Sequence, residues 1–130
     1  MKKVFAILLV LALILSSFAM ADGWTLSIKK KNGTYTGTKT KLTSNWTSAS
    51  VTTSGAGSHS MYYQVRKYTG WEATEYHNTK GNASFSLSYM PDGNGNSRGQ
   101  KNTDYKLRVA HRSQCSCNNG TAKVTVDFTP

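Results

Sequence analysis

The chain has 130 residues, 16 of them Lys or Arg against 6 Asp or Glu, with 3 His, 2 Cys and 2 Pro. That length leaves room for one domain and a targeting segment but not for a two-domain enzyme. Only 38% of the residues are hydrophobic and Ser, Thr, Gly and Asn abound, which excludes a helical bundle, a coiled coil and a collagen-like chain.

Residues 1–21 read as a secretory signal peptide. Lys2-Lys3 precede the apolar run 4–15, and Ala19-Met20-Ala21 supplies the small residues of a cleavage site. A membrane-spanning helix needs roughly 20 apolar residues, and this run stops after 12 at Ser16-Ser17. No Cys occurs before Cys115, so a lipid anchor at the cleavage point is not expected. The expected destination is extracellular, with retention at the cell wall as a variant. Taking 21 residues from 130 leaves 109, and losing Lys2 and Lys3 leaves 14 basic against 6 acidic side chains, net +8.

Residues 22–130 are expected to form a single domain whose dominant signal is alternation of period two. Trp24, Leu26 and Ile28 alternate with Thr25, Ser27 and Lys29. Asn32-Gly33 then signals a hairpin, because both residues tolerate positive φ. The Thr-rich segment 34–42 has strand propensity but little to bury, and Lys39 and Lys41 suit it to a sheet edge. Segment 46–53 carries Trp46, Ala49 and Val51. Segment 60–68 places Met61, Tyr63 and Val65 opposite Tyr62, Gln64 and Arg66. Segment 71–76 is a short candidate strand. Residues 83–89, 105–111 and 122–128 alternate cleanly, with a polar loop from Asp92 to about Asp104. The expected fold is an all-β antiparallel sandwich of seven or eight strands, its core built on Trp24, Trp46, Phe85, Tyr105 and Phe128. A closed barrel is the alternative.

Catalytic signatures are missing: there is no G-x-S-x-G, no H-E-x-x-H and no P-loop. Glu72 and Glu75, three apart on an extended strand, would face opposite ways and make no glycosidase pair. The expectation is a protein that is not an enzyme and carries no cofactor. Cys115-Ser116-Cys117 is expected to close a local disulfide, although residues two apart on a strand sit roughly 6.5–7 Å apart at Cα, the limit of disulfide reach. An intermolecular bridge, or a soft-metal site using His111 with the two thiolates, are the alternatives.

Two further groups bear on binding. Lys29, Lys30 and Lys31 form a run, while Lys106, Arg108 and Arg112 share parity and so project from one strand face. Such a stripe attracts anionic surfaces, outside a bacterial cell a wall polymer or lipid headgroups; export argues against nucleic acid. Tyr62, Tyr68, Trp71 and Tyr76 cluster in sequence, and not all can be internal. Aromatic side chains of this kind stack on sugars, anchor interfaces or shore up a thin sheet.

The opening strand Trp24-Thr-Leu-Ser-Ile-Lys, the Thr-rich lead to Trp46, the Ser54-Gly-Ala-Gly loop and the closing strand resemble a family of small secreted proteins of Gram-positive bacteria. Some members of that family lie near lactococcin-type bacteriocin systems. The resemblance implies a secreted β-sandwich and assigns no active residues; the Cys115/Cys117 pair and the Lys29–Lys31 run depart from it. The expected function is a secreted binding module acting at the bacterial surface through a basic, aromatic-bearing face. A bacteriocin-like antimicrobial protein, or a redox or metal-handling protein using Cys115 and Cys117, are the other two expectations.

Overall fold

The computed structural model of the chain describes residues 23–29, 33–57, 59–111 and 122–130. The expected signal segment 1–21, Lys30, Lys31, Arg112, Cys115 and Cys117 lie outside the described residues. Where apolar and polar side chains alternate, strands form and turn the apolar row inward. In chain order these are β1 (Trp24–Ile28), β2 (Gly33–Tyr35), β3 (Lys39–Thr40), β4 (Ser48–Ser54) and β5 (Ser60–Lys67). They continue with β6 (His77–Lys80), β7 (Ala83–Ser88), β8 (Asp104–His111) and β9 (Ala122–Thr129).

Two antiparallel sheets result. One has the order β1-β9-β4-β7; the other has β2-β8-β5-β6, with β3 also pairing to β8. The architecture is the expected sandwich. It has nine strands among the described residues because segment 34–42 splits in two, 71–76 forms none, and β6 adds a strand without a signal in its sequence. Between the sheets lie Ile28, Val51, Met61, Val65, Leu107, Val109, Val124 and Val126, all essentially without solvent contact. Phe128 and Tyr105 are buried with them, while Trp24 and Phe85 pack against the core half-buried. Tyr63 of β5 meets Phe85 of β7 at 5.2 Å between ring centroids, one ring from each sheet.

Several expectations need correction. Trp46 is 61% exposed and belongs to no core. The Asn45 side-chain oxygen accepts hydrogen bonds from the Thr47 amide (3.0 Å) and hydroxyl (2.6 Å), a local turn that delays β4 until Ser48 and leaves the indole outside. The Asn32-Gly33 signal does not join a hairpin: β1 pairs with β9 and Gly33 with Ala110 of β8, so the chain changes sheet between them. Segment 34–42 does lie at an edge, but it is interrupted where the Thr36 hydroxyl accepts from the Leu107 amide at 2.9 Å. Lys41, expected as an exposed edge charge, is wholly buried, its Nζ 5.3 Å from the centre of the Tyr89 ring.

Segment 71–76 covers the end of the five-stranded sheet through isolated bridges, Arg66 to Glu72 and Thr74 to Tyr89, and through side-chain bonds, without a continuous ladder. The Thr74 hydroxyl accepts from the Val65 amide at 3.0 Å, and Gln64 Nε2 donates to the Thr74 carbonyl at 3.1 Å. With no strand there, the opposite-face argument for Glu72 and Glu75 lapses; Glu72 instead pairs with Arg66 at 2.8 Å. The long polar loop is pinned from below, because the buried Tyr105 hydroxyl donates to the Arg98 carbonyl at 2.6 Å and accepts from the Gln100 amide at 2.7 Å.

Burial raises the hydroxyls of Tyr63, Tyr89 and Tyr105 above the ordinary phenol value; at Tyr105 the Gln100 amide offsets part of the effect. The folded chain therefore keeps three phenol protons that the unfolded chain releases near pH ~10, so the stability they carry is intact below that pH and lost above it. Lys41 acts in the opposite sense, since burial lowers its ammonium from 10.5 and its penalty fades as pH climbs toward that value. Three groups outweigh one. The urea midpoint should fall steadily from about pH 10 upward, and a midpoint flat across that range would contradict the burial of these phenols.

Candidate functional site

Strand β8 runs through the five-stranded sheet with Tyr105, Leu107 and Val109 turned inward, so Lys106 and Arg108 project from the outer surface. The register then decides their neighbours. Tyr35 of β2 lies opposite Arg108, which lies opposite Gln64 of β5 on its other side. Lys106 lies opposite Arg66, and Tyr62 opposite both Ala110 and Asn78.

The side chains interleave. Lys106 Nζ sits 4.4 Å from the centre of the Tyr35 ring and 5.8 Å from that of Tyr68. The Arg108 guanidinium is 5.5 Å from the Tyr76 ring centre and donates through Nη1 to the Tyr76 hydroxyl. Tyr76 in turn meets Tyr62 edge to face at 5.9 Å. A row of tyrosine rings and cations thus crosses the sheet, Tyr68, Lys106 and Tyr35 on one side and Arg108, Tyr76 and Tyr62 on the other, the two halves meeting where Tyr35 lies opposite Arg108 in register. Gly33 permits it: a Cβ there would sit 2.8 Å from Arg108 Nε, so any larger residue at position 33 would push the guanidinium away.

Beneath the row, Gln64 is buried and holds Arg66, whose Nε donates to Gln64 Oε1 at 2.8 Å. Two ion pairs occur among the described residues, Arg66–Glu72 and Lys39–Asp127. Neither involves Lys106 or Arg108, whose partners among the described residues are rings and a hydroxyl. Cation–ring contacts of this kind contribute about 0.5–1 kcal/mol at exposed sites, enough to order the side chains without neutralising them. The opposite surface of the sandwich is different in kind. On the four-stranded sheet the outward residues are chiefly Ser and Thr, with Thr25 and Thr125 hydroxyls 3.1 Å apart and Thr52 and Ser84 hydroxyls 3.3 Å apart.

The structure brings Lys106 and Arg108 together with Tyr62, Tyr68 and Tyr76, uniting what the sequence offers as two separate groups. Lys29 is exposed just after β1, which belongs to the other sheet. Trp71 is 72% exposed but stands off the row, in the turn that follows β5. Tyr35 is a member of the site that sequence reasoning misses. Its placement beside Arg108 depends on the β2–β8 register, for which the local sequence has no signal.

For the metal alternative, His111 is buried and its ring meets that of His59 edge to face at 5.2 Å, while His77 stacks on Phe85 at 4.2 Å. Among the described residues no group of three His, Cys, Asp or Glu side chains is gathered to hold a metal ion. The Cys115/Cys117 pair that the disulfide and metal expectations require lies outside the described residues.

No protein-family model matches the chain, and no curated protein matches its sequence. Among solved structures it is similar to that described as "Crystal structure of PirA", with a TM-score of 0.47 and 11% sequence identity over 82% of this chain and 92% of that one.

Proposed function

We propose that the protein is an exported, non-enzymatic binding module that takes an anionic polymer of the bacterial cell wall on the outer face of its five-stranded sheet. The observation that carries this reading is the row of two cations, Lys106 and Arg108, held between the rings of Tyr35, Tyr68 and Tyr76 with no carboxylate partner among the described residues. Anionic groups spaced along an extended chain suit cations spaced along a strand, and the rings supply flat apolar contact between them. A membrane surface suits the face less well, because interfacial insertion uses projecting Trp, Phe and Leu side chains and this row offers only tyrosines.

The processed protein should sediment with isolated Gram-positive cell walls at about 50 mM salt and be released as salt approaches about 500 mM, where the screening length shrinks to a few ångströms. Walls stripped of their anionic polymer should not retain it. Equal binding to stripped walls, or retention unaffected by salt, would overturn the proposal, as would preferential binding to anionic vesicles or to single-stranded DNA.

A further inference from the structure

Beside the tyrosine row, the turn after β5 and the loop after Met90 border a shallow, open cleft of about 560 Å³ that adjoins a second of about 350 Å³, the two sharing Thr69, Trp71, Glu72 and Arg98. Both walls are braced. The Lys67 amide donates to the Trp71 carbonyl and the Gly70 amide to the Lys67 carbonyl, each at 2.8 Å, with Gly70 at a φ of 99° that other residues rarely adopt. Across the cleft, Asp92 Oδ1 accepts from the amides of Asn94 and Asn96 at 2.9 Å, and the Arg98 amide donates to the Met90 carbonyl at 2.9 Å. Those two amides, that of Asn96 foremost, hold the Asp92 carboxyl below its ordinary value, so it is an ionised acceptor. Arg98 Nη1 then ties the walls together by donating to the Glu72 carbonyl at 2.7 Å.

We infer that this cleft is a second site, one that binds a neutral saccharide ring against Trp71. An indole left 72% exposed on a braced turn presents a flat apolar surface, complementary to the C–H face of a pyranose. Each sugar hydroxyl both donates and accepts, and the rim offers both functions: guanidinium and ammonium donors on Arg66, Arg98 and Lys67, and carboxylate acceptors on Glu72 and Asp92. Three cations against two carboxylates leave the cleft close to neutral, unlike the Lys106–Arg108 row, so a polyanion has little advantage there. An open cleft suits a ring stacked on the indole and still partly exposed to water, and the braced walls reduce the ordering cost of binding.

The inference stands apart from the polymer-binding proposal and is tested separately. The processed protein is titrated with trisaccharides of α-glucan, β-glucan, chitin, galactan and mannan to about 10 mM, the range in which weak single-site binding saturates, following tryptophan fluorescence and heat. At least one should bind saturably, with affinity unchanged between low and high salt. Trp71→Ala should reduce it at least tenfold, Trp71→Tyr should keep most of it, and replacing both Lys106 and Arg108 by Gln should leave it unaltered. Lack of saturable binding by all five sugars, or binding that survives Trp71→Ala, overturns the inference. Loss of wall adherence with sugar binding intact would bear on the polymer proposal alone.

Discussion

Replacing Phe128 with Ala is expected to lower folding stability by about 3–5 kcal/mol, measured as the shift in urea unfolding free energy. Phe128 is 1% exposed on β9, the strand bonded on one side to β1 and on the other to β4. Its ring meets Trp24 at 5.6 Å and lies 5.9 Å from Lys39 Nζ, which closes the open edge between the sheets by reaching Asp127 at 2.9 Å. Truncation therefore opens a cavity and also loosens the contact that seals that edge. Ser86→Ala, on the outward face of β7, should change stability by less than about 0.5 kcal/mol. Comparable small effects at both positions would mean that the inward and outward rows are misassigned.

Gly99→Ala is the second large effect, with an expected loss of about 3 kcal/mol from overpacking. A Cβ at this position would stand 2.6 Å from Cε2 of Tyr89 and closer still to Cδ2, separations no relaxed contact allows. Tyr89 has nowhere to go, since its ring is confined by Tyr105 at 5.8 Å and by the buried Lys41. The same substitution at Gly93, where no atom lies within 4 Å of the position a Cβ would take, should be nearly neutral. Thermal unfolding of the pair separates close packing from a general intolerance of the loop to side chains.

The strands that alternate are legible in the sequence because a pleated strand with one buried face imposes period two. Met61, Tyr63 and Val65, or Val124, Val126 and Phe128, can be placed inward on that ground. Edge elements are harder. Residues 77–80 read His-Asn-Thr-Lys, and their strand exists because β5 offers a ladder and Phe85 a ring for His77, neither of which is local. Asn32-Gly33 misleads because turn chemistry reports a change of direction and not which sheet the chain enters next. Lys41 is buried with its Nζ 5.3 Å from the centre of the Tyr89 ring, an arrangement set by tertiary neighbours. Trp46, by contrast, carries a local clue in Asn45-x-Thr47.

The candidate face divides in the same way. Parity along β8 puts Lys106 and Arg108 on one surface, and the count of aromatics between 62 and 76 requires some of them to be outside. That these rings and those cations occupy one row follows from cross-strand register, as does the recruitment of Tyr35. Gly33 makes the same point: its value lies in the room it leaves for a guanidinium 75 positions later in the chain.

A charge-matched comparison tests the central claim most directly. Lys106→Gln with Arg108→Gln removes two positive charges from the tyrosine row, and Lys29→Gln with Lys123→Gln removes two from exposed positions after β1 and on β9. With each cation near a polyanion contributing on the order of 1 kcal/mol, the first pair should weaken adherence to isolated walls about 30-fold and the second only a few-fold. Equal weakening by both pairs would show that net charge, and no particular face, draws the protein to the wall.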